Sequence, residues 1–182
     1  MDSLELLAHP VRLRIVHAMK GGRALTTSQI CARMSDVSKA TVYRQVGVLA
    51  DAGVLEVESE QRVRGAVERR WRLRAELATI DPDQAAAASA GDHRRMFAAA
   101  MSTLTAEFNA YLTATDAVGP HVGYRQHAIW LSPAERDALI ARMREAILPA
   151  LGNPASPDRA AYLLSPILFP VEEPSWGDDP GH

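Results

Sequence analysis

The apolar residues of this chain change spacing as the sequence advances, and each spacing predicts an element. Leu4, Leu7 and Ala8 mark a short helix over residues 2–8. Val11, Ile15, Ala18 and Met19 then recur at the period of one helix face. That helix starts at His9-Pro10, because proline is favoured at a first helical position whose N–H has no partner, and Gly21-Gly22 ends it. Thr26 or Thr27 caps a third helix that turns Ile30 and Met34 inward. The fourth helix is the best specified. Ser38 is its N-cap, Val37 and Val42 have the spacing of a hydrophobic staple, and Gly53 is its C-cap. Val42, Val46 and Leu49 form its apolar stripe. The period then falls to two. VLEVESE and AVERRWRL read as half-buried strands, joined by the basic turn QRVRG with Arg62 and Arg64 at its tip.

Past Asp81 the texture changes. DPDQ supplies an aspartate cap, a first-turn proline and a glutamine for a capping box. An alanine-rich helix follows to Thr115, on the order of 50 Å long at ~1.5 Å per residue, with Gly91 as the point where it kinks or splits. Phe97, Met101, Leu104, Phe108 and Tyr111 are spaced four, three, four, three, which is the seam of a helix packed on another long helix. Gly119-Pro120 breaks the pattern. HVGYRQHAIWL reads as a strand and SPAE opens a helix with Leu139, Met143 and Ile147 on its apolar face. AYLLSPILF reads as a last strand, at an edge or a bulge because of Pro166. The tail VEEPSWGDDPGH is acidic, rich in turn formers and expected to be disordered.

Charge sharpens this division. Residues 1–74 hold 13 Lys+Arg against 8 Asp+Glu, a balance of +5, while residues 75–182 hold 7 against 14, a balance of −7. The first part suits a polyanion and the second does not. Cys31 is the one cysteine, which excludes a disulfide framework and points to a reducing cytoplasm. No apolar run approaches the ~20 residues of a membrane span, and the start lacks the pattern of a signal peptide. No glycine-rich phosphate loop, HExxH or GxSxG is present, so no enzyme is expected and no cofactor is called for.

Three helices and a hairpin within about 70 residues have the order of a winged helix-turn-helix, which sets one helix in a DNA major groove. A helix N-terminus favours phosphate, and short polar side chains there allow close approach to base edges. Lys39 and Arg44 can donate to guanine or phosphate, and Thr41, Tyr43 and Gln45 can bond to bases or backbone. Arg62 and Arg64 can follow a phosphate ridge or enter the minor groove. LAHPVRLRIVHAM, VSKATVYRQVGVLADAGVLEV and a basic hairpin ending in RRWRL together resemble the ArsR-type winged helix-turn-helix transcriptional regulators, over residues 4–74. The resemblance implies a homodimer on a partly palindromic double-stranded operator, usually a repressor, with Ser38, Lys39, Thr41, Tyr43, Arg44 and Gln45 facing DNA.

The expected architecture is therefore α+β. A winged helix-turn-helix occupies residues 1–78, a long dimerisation helix and a small strand-helix-strand unit occupy 79–170, and 171–182 form the tail. Phe97, Met101, Leu104, Phe108, Tyr111, Tyr124 and Trp130 are candidates for a dimer core or for the pocket of a small-molecule effector. Two other readings compete. Cys31, or His93, His121 and His127 together, could serve a metal- or redox-responsive sensor, although the paired cysteines of metal-sensing members are absent. A winged helix can also serve contacts between proteins.

Overall fold

A computed structural model describes residues 3–63, 65–79, 82–115, 118–119 and 122–171. Its elements are α1 (Ser3–Leu7), α2 (Pro10–Met19), β1 (Ala24–Thr26), α3 (Thr27–Arg33), α4 (Lys39–Asp51), β2 (Leu55–Val63), β3 (Ala66–Leu73), a 3-10 turn at Ala75–Leu77, α5 (Pro82–Ala87), α6 (Ala90–Ala114) and α7 (Pro133–Leu151).

Helices α1 to α4 and the sheet close on one apolar core. Ile15, Met19, Ile30, Met34, Val42 and Leu49 are fully buried in it. Each such side chain contributes about 1.5–3 kcal/mol relative to exposure. Local chemistry fixes where the helices start and stop. Thr26 caps α3 through a complete capping box: its hydroxyl accepts from the Gln29 N–H at 3.2 Å, and the Gln29 side chain accepts from the Thr26 N–H at 2.9 Å. Gly21 and Gly22, at φ 78° and 75°, turn the chain away after α2. Gly53, at φ 74°, ends α4. Its N–H donates to the Ala50 carbonyl at 2.9 Å, and Val54 N–H reaches back to Leu49 at 2.9 Å. These are the two bonds of a Schellman motif, sealed by the buried Leu49 and Val54.

The hairpin is joined by a third strand, β1, which the sequence pattern did not reveal. The order is β1-β3-β2, antiparallel throughout. Leu25 lies opposite Trp71, whose indole N–H donates to the Thr27 hydroxyl at 3.0 Å. A three-residue strand ending in a helix cap is too short to display a period of two. Between β2 and β3 the register runs from Leu55 opposite Leu73 to Val63 opposite Ala66, with a bulge between Val57 and Ser59.

The long helix departs from expectation at its start. The chain breaks between α5 and α6 at Ser89, two residues before Gly91, because Ser89 and Asp92 form a reciprocal capping box that opens a new helix. Asp81, the expected cap of the preceding segment, lies outside the described residues. One side of α6 docks on the N-terminal domain through Ala99 and Thr103, both buried. The Thr103 hydroxyl donates to the Pro10 carbonyl at 3.3 Å. The expected seam residues lie elsewhere on the helix: Phe97 and Tyr111 are exposed, and Met101, Leu104 and Phe108 are half-buried.

The expected strand-helix-strand unit is corrected in part. Its helix forms as α7, capped by Ser132 with Glu135. Its strands do not form: residues 122–131 and 155–170 contain no strand among the described residues. Alternation specifies a strand only where an edge exists to pair with, and neither segment meets one. The expected disordered tail lies, beyond Val171, outside the described residues.

Candidate nucleic-acid interface

The start of α4 is held rigid by its own side chains. The Ser38 hydroxyl accepts from the Thr41 N–H at 3.2 Å and shares a hydrogen bond with the Thr41 hydroxyl at 2.9 Å. Val42 is fully buried beneath and Val37 packs on the core beside it. Ser38 is exposed and Thr41 half-buried, but each already serves the other. Lys39, Tyr43 and Arg44 point outward from this frame, Tyr43 with 54 % of its surface exposed. Lys39 and Arg44 form no ion pair among the described residues. Gln45 is different. It is only 6 % exposed, so the expectation that it faces a groove is corrected: its side chain belongs to the buried side of the helix.

The wing is less basic than its arginines suggest. Arg69 is held by Glu60 at 2.8 Å, while Glu58, the residue inserted at the bulge, stands 3.9 Å from Arg70 and 3.6 Å from Arg72. Arg70 also donates to the Ala24 carbonyl at 2.8 Å. Arg62 is exposed, faces Val67 across the ribbon and has no carboxylate partner among the described residues. Arg64 lies outside the described residues, and Gly65 beside it turns the chain at φ 87°. Lys39, Arg44 and Arg62, without carboxylate partners among the described residues, thus stand at the start of α4 and near the hairpin tip.

Beneath the start of α4 sits a tie between distant parts of the chain. Arg14 of α2 is 3 % exposed. It donates two parallel hydrogen bonds to Asp36, at 2.6 and 2.9 Å, and a third to Glu107 of α6 at 2.8 Å. Asp36 lies two residues before the α4 cap. Burial alone would lower the Arg14 pKa, but hydrogen bonds to Asp36 and Glu107 outweigh it and raise it. The same bonds hold the Asp36 carboxyl below its ordinary value of 3.8. Arg14 is thus committed to internal ion pairs. His9, at the N-cap of α2, is a further member of this region that the pattern missed. Burial lowers its pKa first, and the charges of Arg12 and Arg44 lower it further.

Gly47 sits in the middle of α4, and a Cβ placed there meets nothing within 4 Å. The chain itself therefore gives no steric reason for glycine. Gly47→Ala is expected to raise stability by about 0.5–1 kcal/mol, measured by urea denaturation. If DNA or a second helix approaches this spot, the same variant binds DNA more weakly; an unchanged affinity assigns the glycine to neither.

Of the aromatic candidates, Phe108, Tyr111 and Tyr124 come together, with ring centroids 6.2 Å apart for Phe108–Tyr111 and 5.7 Å for Phe108–Tyr124. Trp130 stands apart, 77 % exposed. Cys31 is buried. Among the described residues no group of three or more His, Cys, Asp or Glu side chains converges as metal ligands, and His121 lies outside them. No helix among the described residues is long and apolar enough to cross a membrane.

Residues 7–58 match the model of a family described as a helix-turn-helix domain. With the hairpin behind it, this is a winged helix-turn-helix. At that level the match supports a DNA-binding regulator. It spans α2 to α4 and the first part of β2, and so contains both the rigid start of α4 and the Arg14–Asp36 pair. No curated protein matches the chain.

Proposed function

We propose that the chain is an ArsR-type transcriptional regulator that binds a double-stranded operator as a cytoplasmic homodimer and represses. Residues 1–78 read DNA and residues 79–170 build the dimer and take a small-molecule effector. The observation that carries this reading is the start of α4: Lys39, Tyr43 and Arg44 project from a turn locked by Ser38 and Thr41, with both cations free of carboxylate partners among the described residues. Two such helices would enter successive major grooves ~34–36 Å apart. The helix α6 would fix that spacing, and an effector would shift it, a coupling typically of ~1–3 kcal/mol.

The test is selection of bound fragments from genomic DNA, followed by affinity measurements across a salt series. A specific, salt-dependent affinity supports the reading. A chain with no salt-dependent DNA affinity is instead a protein-interaction module. In the same series Arg62→Ala is expected to lower affinity on every sequence and to reduce the salt slope by about one unit. A slope equal to that of the unaltered protein assigns Arg62 to solvent.

A further inference from the structure

The C-terminal arm, residues 122–171, does not satisfy itself. No residue of α7 is buried over its 19 positions. Leu139, Ile140, Met143 and Ile147 are half-buried, while Leu148 and Leu151 are exposed. The segments on either side add exposed Trp130, Tyr162 and Leu164. Tyr124 packs edge-on against Phe108, Phe169 packs edge-on against Phe97 at 6.3 Å, and the Ala155 N–H donates to the Gly21 carbonyl at 3.0 Å.

The surface area gives the scale of the deficit. The chain exposes 13524 Å², whereas a compact monomer of 19.8 kDa exposes about 8,600 Å². The 20 residues outside the described ranges, even fully extended, account for at most about 3,300 Å² of the difference. At least about 1,600 Å² per chain is left over, within the ~1,000–2,500 Å² per partner that stable obligate dimers cover.

We infer that the arm is an interface with a second copy of this chain, formed by the apolar residues of α7 and its flanking segments together with the Phe97–Phe108 side of α6. Three observations choose a second copy as the occupant. The surplus area is that of a dimer and too large for a small ligand. The arm carries five arginines against four acidic residues, so two copies meet with little net repulsion. Through Phe97 and Phe108 it is continuous with the α6 face that Ala99 and Thr103 leave free. A two-fold axis would place the same patch on both partners, each covering the other. This inference rests on the homodimer proposed above and deepens it by assigning the interface to the arm.

Sedimentation equilibrium of the full chain tests it. The unaltered protein is expected to be a dimer at micromolar concentration. Leu148→Glu/Leu151→Glu changes exposed positions of a monomer, yet places four carboxylates in the inferred interface; it is expected to weaken association by about 100-fold or more with unchanged far-ultraviolet circular dichroism. Trp130→Glu, at the opposite end of α7, is expected to weaken association independently. If both variants dimerise as tightly as the unaltered chain, the arm is overturned as the interface while a dimer built on α6 alone survives. If the unaltered chain is itself monomeric at tens of micromolar, the arm interface and the proposed homodimer both fail.

Discussion

Replacing Arg14 by methionine is expected to lower the free energy of unfolding by about 2–3 kcal/mol. Methionine fills most of the volume but leaves Asp36 and Glu107 without their cation. Breaking a fully buried pair costs ~3–5 kcal/mol; the value here is smaller because both carboxylates remain reachable by water. Urea denaturation with an unchanged m-value checks it. A loss under about 0.5 kcal/mol would place the pair among surface contacts. A pH signature accompanies the loss. The Asp36 carboxyl is held below 3.8 in the folded state, so its contribution is fully present above that value and disappears as the pH falls through the lowered one. The acid limb of the stability curve should therefore be shallower in Arg14→Met. DNA affinity should fall as well, because Asp36 anchors the turn that aims α4.

Arg44→Ala is expected to reduce specific DNA binding by about 1–3 kcal/mol, with relaxed preference at one base position, if Arg44 forms a bidentate contact to guanine. Arg44 is exposed and free of carboxylate partners among the described residues, so little internal structure is lost with it. Its removal also takes a positive charge from the neighbourhood of His9, whose pKa should rise toward 6.5. Titration of His9 by nuclear magnetic resonance reports that change without DNA and thus separates the local electrostatic effect from base reading. If affinity and sequence preference both stay unchanged, Arg44 leaves the interface.

The helices of the N-terminal domain were legible because their signals are local. Cap, staple, stripe and terminal glycine of α4 lie within seventeen residues and agree with one another. Gln45 was misread because polarity was allowed to override position. At about 100° per residue, Gln45 stands only about 40° from Leu49, inside the buried arc, while Arg44 lies about 160° from Val46. The Arg14 tie could not be read at all, since its partners are 22 and 93 residues away. The docking side of α6 was missed for a related reason. Ala99, Thr103 and Glu107 are small or polar, so the larger apolar residues around them drew the eye to a different face. The C-terminal strands failed because alternation describes a surface and supplies no neighbour for it. Along the hairpin Glu58 and Glu60 engage Arg69, Arg70 and Arg72, a pairing across the ribbon that a count of arginines does not show.

The two ends of α4 have a kinetic consequence. Its first turn is closed by Ser38 and Thr41, and its last by the paired bonds at Gly53 and Val54. A helix sealed at both ends over a buried stripe has no cheap way to fray. Its central amides, those of Val46 and Leu49, should exchange with deuterium only when the whole domain opens. The amides of α7, with no buried side chain above them, should exchange through local opening in the isolated chain. The molecule would then carry two clocks: a slow one that keeps the shape presented to DNA, and a fast one in the arm that slows only when the arm is covered.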